Sequence, residues 1–246
     1  MKHRKMIGMA AGLIQVCSSP LWAGEFSLGV AAGGQSTLYH DVEDQNFVIP
    51  VLGYEGERFS YFLDTATFVL MQGESGESRW RMRAVATARI FDQPNLRAGL
   101  EDRHSTVDIG LDAGIQGKWG SLSLEVLADA LGNHEGGEAT ISYEYEFAVT
   151  ERLAITPSLG VSYYNEKLAD YYFGVRPGEA RDMRVQYQPG ASGVATAGVT
   201  MTYGLTESWT LVGVVQHMSL GDELADSPLV AEESSTTAVI GALYRF

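Results

Sequence analysis

From residue 24 onward the chain alternates apolar and polar residues with a period of two, in segments broken by polar or glycine-containing links. At 105–117, Val107, Ile109, Leu111, Ala113 and Ile115 oppose Asp108, Asp112 and Gln116. At 120–131, Leu122, Leu124, Val126 and Ala128 oppose Ser121, Ser123, Glu125 and Asp129; at 138–149, Ile141, Tyr143, Tyr145, Phe147 and Val149 oppose Glu138, Thr140, Ser142, Glu144 and Glu146. Segments 24–34, 79–90, 153–165 and 191–205 follow the same rule, and the last runs back from Phe246 through Tyr244, Ala242, Ile240 and Ala238. Successive side chains of an extended chain point to opposite faces, so each segment predicts a strand with one apolar and one polar face. None keeps a helical period. Soluble strands run about five or six residues, whereas a tilted strand needs roughly nine to eleven to cross a bilayer, and these segments match the second length. The pattern predicts an all-β fold: one antiparallel transmembrane β-barrel over residues 24–246, with lipid outside and a polar lumen inside.

Link lengths orient the barrel. Short links fall at 55–57, 118–119, 150–152 and 206–208; longer ones fall at 35–45, 92–104, 132–137, 166–190 and 221–235. Such barrels have short periplasmic turns and long outer loops, which places the two sets on opposite sides. Eleven segments are visible, but a single-chain barrel with both ends on one side needs an even number. The apolar phase also slips at Asp64-Thr65, where Phe59, Tyr61 and Leu63 give way to Ala66, Phe68 and Leu70. Either a bulge or two strands in place of one accounts for the slip. Twelve strands are expected, with ten as the fallback.

Composition adds the compartment. Lys2, Arg4 and Lys5, the short apolar run Met6–Val16 and Pro20-Leu21-Trp22-Ala23 read as a secretory signal, cleaved after Ala23. Its loss removes Cys17, the one cysteine, and leaves 14 basic against 31 acidic residues, a net −17. So acidic a chain does not suit nucleic acid. After the signal there is no apolar run of about 18 residues, so no membrane helix is expected.

Candidate chemistry is concentrated on the polar face. Arg81, Arg83, Arg89, Arg152 and Arg245 point inward with Asp108, Asp112, Glu125, Asp129, Glu144 and Glu146. They read either as a charged eyelet in a channel or as an ion-paired filling; a barrel this narrow favours the filling. Loop acids cluster at Asp41/Glu43/Asp44, Glu101/Asp102, Asp222/Glu223/Asp226 and Glu232/Glu233. Divalent cations could bridge them to lipopolysaccharide phosphates, but their spacing is not that of a calcium loop, and solvated loops are expected. Catalysis would need a serine and a histidine together at the outer rim. His104 and Ser105 are adjacent and so point apart, and His134 and His217 lie near other long loops. No catalytic, cofactor or metal residues are therefore assigned. Tyr163, Tyr164, Tyr171, Tyr172 and Phe173 surround a 166–190 link too long for connection alone, consistent with a girdle plus loop packing or a segment folded into the lumen.

Six strings in order resemble the MipA/OmpV family of outer-membrane proteins: Tyr54–Phe59 (YEGERF), Gly99–Arg103 (GLEDR) leading into Val107–Leu111 (VDIGL), Ile155–Gly160 (ITPSLG), Asp170–Val175 (DYYFGV), Leu220–Val230 (LGDELADSPLV) and the closing Tyr244-Arg245-Phe246. The resemblance covers nearly the whole chain and blurs over 60–91, where the strand count also fails. It implies an outer-membrane location and a non-catalytic scaffold tying a membrane-bound lytic transglycosylase to a murein synthase; small-solute porins and surface adhesins or antigens are the alternatives within the family. On this reading Tyr244 and Phe246 form the insertion signal for the barrel-assembly machinery, and the barrel sits among outer-membrane lipids and lipopolysaccharide. A periplasmic partner would have to touch the short turns, through Glu55, Glu57, Lys118, Glu151, Arg152 and Glu207. Those turns offer little area, which is a tension in the scaffold reading.

Overall fold

The computed structural model describes residues 24–40, 42–90, 100–101, 103–181 and 184–246; the expected signal segment lies outside these residues. Thirteen strands form one sheet: β1 Glu25–Gln35, β2 Gln45–Glu55, β3 Phe59–Phe62, β4 Thr65–Ser75, β5 Ser78–Arg89, β6 Thr106–Gly117, β7 Gly120–Asp129, β8 Gly137–Glu144, β9 Phe147–Ala148, β10 Leu153–Tyr164, β11 Ser192–Gly204, β12 Trp209–Leu220 and β13 Ser234–Arg245. Each pairs antiparallel with its neighbours, and β1 pairs with β13, closing the barrel. β8 and β9 are one crossing: both pair with β10 in a single register, and the break falls opposite Pro157. Tyr145 donates to the Pro157 carbonyl, but proline has no N–H to return the bond. The barrel therefore has twelve crossings.

The alternation sets the two faces. Val48 (72% exposed), Ile240 (66%), Leu159, Val161, Ile141 and Ile109 stand on the outer wall. A continuous apolar surface of this extent would be intolerable in water and is what a bilayer solvates. Phe26, Tyr54, Phe59, Trp119, Trp209, Tyr244 and Phe246 gather at the end that carries the short turns, with Trp209 and Tyr244 edge to face at 5.2 Å and Tyr244 and Phe246 at 4.9 Å. These rings form the aromatic girdle of the periplasmic side. Following the ladders once around from Glu55 through Ser60, Thr67, Val85 and Gly110 returns to β2 displaced by about 16 residues, a stagger that tilts strands by roughly 40–45° in a twelve-stranded barrel.

The region where the sequence was ambiguous holds both expected irregularities. The chain makes two strands at 59–75, and β4 carries a bulge between Val69 and Met71. β3 is only four residues long because the chain reverses at Leu63-Asp64, with Leu63 at φ 55°. The turn is held inside the wall: the Leu63 N–H donates to the Leu52 carbonyl, and the Ala88 N–H to the Asp64 carbonyl. Consequently β2 from Asn46 to Val51 has no strand on its β3 side among the described residues. Backbone groups on alternate residues point the same way, so the side that Leu52 turns to the hairpin is also the side that Pro50 turns to this gap. A proline at that position forfeits no ladder bond, which fits an edge.

Candidate functional site

At the outer mouth the described parts of four loops pack on one another. The β10–β11 loop carries α1 (Glu166–Phe173) and a 3-10 turn (Pro177–Glu179), and the β12–β13 loop adds α2 (Asp222–Ala225). An eight-residue helix is not stable alone. Asn165 caps it by accepting the Leu168 N–H at 3.0 Å, and packing does the rest. Leu168, Ala169, Tyr172 and Phe173 are buried against Leu38 and Tyr39 of the β1–β2 loop, Val194, Leu220, and Leu224 and Leu229 of the β12–β13 loop. This is the molecule's one large buried apolar cluster among the described residues, and it sits over the lumen rather than within a soluble core.

A charged clamp locks the loops together. Arg103, 3% exposed, reaches from the β5–β6 loop and binds Glu179 through both guanidinium nitrogens, at 2.9 and 3.2 Å. It also donates to the carbonyls of Tyr171 (2.7 Å), Glu101 (3.1 Å) and Gly174 (3.4 Å). Glu179 in turn accepts the backbone N–H groups of Glu101 (2.7 Å) and Arg176 (2.8 Å). Burial alone raises the Glu179 pKa, but these hydrogen bonds and the two arginines outweigh it and hold the carboxyl below its usual range. Asp170 nearby shifts the other way, raised chiefly by burial. Three of the loop acids hold neighbouring segments: Asp44 accepts the Thr37 N–H, Glu101 pairs with Arg176 at the surface, and Glu223 accepts the Gly190 N–H at 3.0 Å. Ser227 donates to the Phe173 carbonyl at 2.5 Å. Asp41 and Asp102 lie outside the described residues.

Below the plug, charges line the β5–β8 wall. Arg89 joins Asp108 and Glu138, and Arg83 pairs with Asp112 at 2.7 Å. Arg81, Glu125 and Glu144 share that inward face by register, and Glu146 falls in the β8–β9 break near the periplasmic mouth. Asp108, Asp129 and His134 bring ligand-type atoms within 4.8 Å of one another. Their lone pairs are already committed. Asp129 accepts the Thr106 hydroxyl (2.6 Å) and the backbone N–H groups of Leu131, His134 and Glu135, while Asp108 meets Arg89 and, at 2.9 Å, His134. The knot is a hydrogen-bonded rim support. The opposite wall differs: Phe47, Ile49, Val51, Val212 and Val214 face inward, and β10–β11 contribute hydroxyls through Thr156, Ser158, Ser162, Thr196 and Thr200. The rim histidines do not join a serine. His134 is taken by Asp108, His217 meets Thr236 at 2.9 Å, and His104 is engaged through its backbone by Tyr171.

At the periplasmic end, the expected contact residues spread around the rim. Glu55 ends β2, Glu57 lies between β2 and β3, Lys118 between β6 and β7, Glu151 and Arg152 between β9 and β10, and Glu207 between β11 and β12. Two are tied to neighbours: Lys118 pairs with Glu77 at 2.7 Å, and the Glu207 carbonyl accepts from Arg245 at 2.9 Å. The β4–β5 hairpin was not among the expected short links. Beyond the last β3 pairing, Phe59 with Phe68, β4 continues alone with β5 to the turn at Gly76-Glu77.

Arg103 was legible only as part of a family-like string, and Glu179 carried no sequence signal. Their partnership spans 76 residues.

The sequence profile of the family described as MltA-interacting protein MipA matches residues 28–246. Among curated proteins, the putative outer membrane protein YiaT of Escherichia coli K12 is 29% identical, over 91% of this chain and 92% of that protein. The MltA-interacting protein of the same organism is 28% identical over 91% of each, and the outer membrane protein OmpV of Vibrio cholerae is 25% identical over 89% of this chain and 85% of that one. These relatives are named as outer-membrane or interacting proteins, not as enzymes. With the closed barrel and its apolar outer wall, the match places the protein in the cell outer membrane, and the chain belongs to the MipA/OmpV family.

Proposed function

We propose that this protein is a non-catalytic outer-membrane scaffold that holds a murein-active enzyme, a membrane-bound lytic transglycosylase, at the inner surface of the outer membrane, and through it a murein synthase. The observation that carries the reading is the packing of the outer loops on one another. The Arg103–Glu179 clamp joins the β5–β6 and β10–β11 loops, and a buried apolar cluster packs the β1–β2 and β12–β13 loops against α1, which is costly architecture for a pore and useful in a rigid platform. The name of one relative, MltA-interacting protein, points to the same partner class. Candidate contacts are Glu55, Glu57, Lys118, Glu151, Arg152 and Glu207, with outer-membrane lipids and lipopolysaccharide around the wall and above it. Tyr244 and Phe246 are proposed as the residues read by the barrel-assembly machinery.

The test uses the full-length barrel in nanodiscs and the purified soluble domain of a membrane-bound lytic transglycosylase. Binding that falls when Glu151, Arg152 and Glu207 are replaced by alanine supports the scaffold. Stable, large openings in planar bilayers together with no binding would instead establish the small-solute porin, and host-cell adhesion without binding would establish the adhesin.

A further inference from the structure

Among the described residues, the short β3 leaves the sheet with two edges, one above the Leu63-Asp64 turn and one below Phe59. The upper edge, on β2, lies at lipid depth and is interrupted by Pro50, which presents no N–H to an incoming strand. The lower edge, on β4, has no such block. There Val69 makes the last bond toward β3, to the Arg58 carbonyl at 2.7 Å, and the Leu70 bulge then shifts the phase of the strand. Ala88 donates to Asp64, so the even-numbered residues of β5 turn their backbone groups to β4. After the bulge their partners are Met71 (with Met82), Gly73 (with Trp80) and Ser75 (with Ser78). Gln72 and Glu74 stand opposite Arg81 and Arg79, and so direct their own N–H and C=O groups away from β5, into the space β3 vacates. Val69 to Ser78 contains no proline.

The surroundings specify what can use this edge. The Trp80 ring lies over Gly73, about 2.8 Å from where a side chain there would begin, and as an interfacial aromatic it sets the lipid boundary at this pair. Glu74 and the turn beyond it therefore stand on the periplasmic side. Glu74 faces Arg79 across the ladder, so its charge does not guard the edge alone. Met71 (58% exposed) and Phe59 (46%) flank the vacated strip on the outward face. Unpaired, alternating donors and acceptors call for an extended polypeptide backbone, and the flanking apolar side chains call for an apolar residue at the boundary.

We propose that the β4 edge at Leu70–Ser75 is a docking strand, to which a periplasmic protein adds an extended segment in the space beneath the Gly56–Arg58 turn. This rests on the scaffold reading and supplies the surface that the short turns lack: the added strand sets register, and the neighbouring turns at Glu57 and Lys118 supply area toward the ~800 Å² per partner of a standard interface. A second copy of the chain is the poorer occupant: two barrels in one membrane share the same inward direction, so their β4 strands both descend and could meet only in parallel, the less stable pairing.

Proline tests the edge selectively, because the N–H groups of Gln72 and Glu74 serve no barrel bond. The assay is binding of the nanodisc-embedded full-length protein to the lytic transglycosylase soluble domain, with folding verified by heat-modifiable migration on gels. The Gln72→Pro/Glu74→Pro variant is expected to bind at least tenfold more weakly than wild type, and Gln72→Ala/Glu74→Ala within twofold. Amide exchange at Gln72 and Glu74 should slow in the wild-type complex. Unaltered binding by the proline variant, or unchanged exchange at both amides, overturns the docking strand while leaving the scaffold intact. Absence of wild-type binding overturns both.

Discussion

Replacing Arg103 by alanine should unlatch the outer mouth without unfolding the barrel. Arg103 and Glu179 are 4% and 2% exposed at their side chains. Removal of the guanidinium withdraws both charged bonds from Glu179 and leaves the carbonyls of Tyr171 and Gly174 without that donor. Breaking one partner of a buried ion pair costs about 3–5 kcal/mol. The clamp joins loops and not ladder strands, so the loss falls on local opening of the plug. At ~1.4 kcal/mol per decade, even the lower figure raises the open population more than a hundredfold. Amide exchange of Leu168–Phe173 in nanodiscs reads this directly, with the β10–β12 amides as internal reference. Arg103→Lys should rescue poorly, since an ammonium cannot reproduce the bidentate geometry. Exchange in the alanine variant within threefold of wild type would refute the assignment of the clamp.

Three further outcomes are expected. The Glu179 pKa is lower in the folded plug than in an open loop, so its stabilisation is complete above the ordinary carboxyl range and is lost as pH falls through the folded value; α1 exchange, corrected for its intrinsic pH dependence, should accelerate below about pH 4 and not above pH 6. Arg89→Met should destabilise the barrel by about 3–5 kcal/mol, because Asp108 and Glu138 lose a buried partner; urea unfolding with the added variants Asp108→Asn and Glu138→Gln should recover part of the loss. Leu63→Gly should raise stability by ~0.5–1 kcal/mol by removing the left-handed strain at φ 55°, measured as a higher urea midpoint with unchanged slope.

Much of this molecule follows from local rules. A period of two is a property of each strand separately, so the apolar outer wall, the two faces of the strands and the division of short and long links between the two ends were legible along the chain. The break opposite Pro157 was not among those expectations. The slip at Asp64-Thr65 announced an irregularity but not its form, because a bulge and a reversal disturb the phase alike. Only pairing with Leu52 and Ala88 distinguishes them, and the structure contains both. Two of the loop acids gain partners that no local pattern shows, because Arg176 for Glu101 and Gly190 for Glu223 lie 75 and 33 residues away.

Sequence by itself determined the solvent on each side of the wall, since apolar periodicity records which environment each residue must meet. Tertiary structure alone decided that the outer loops pack together and that, among the described residues, the end of β4 is left unpaired on one side. Both depend on where separate segments end relative to one another: Arg103 beside Glu179, and β3 stopping short of β4. Such coincidences are set by three-dimensional register, and no local pattern encodes them.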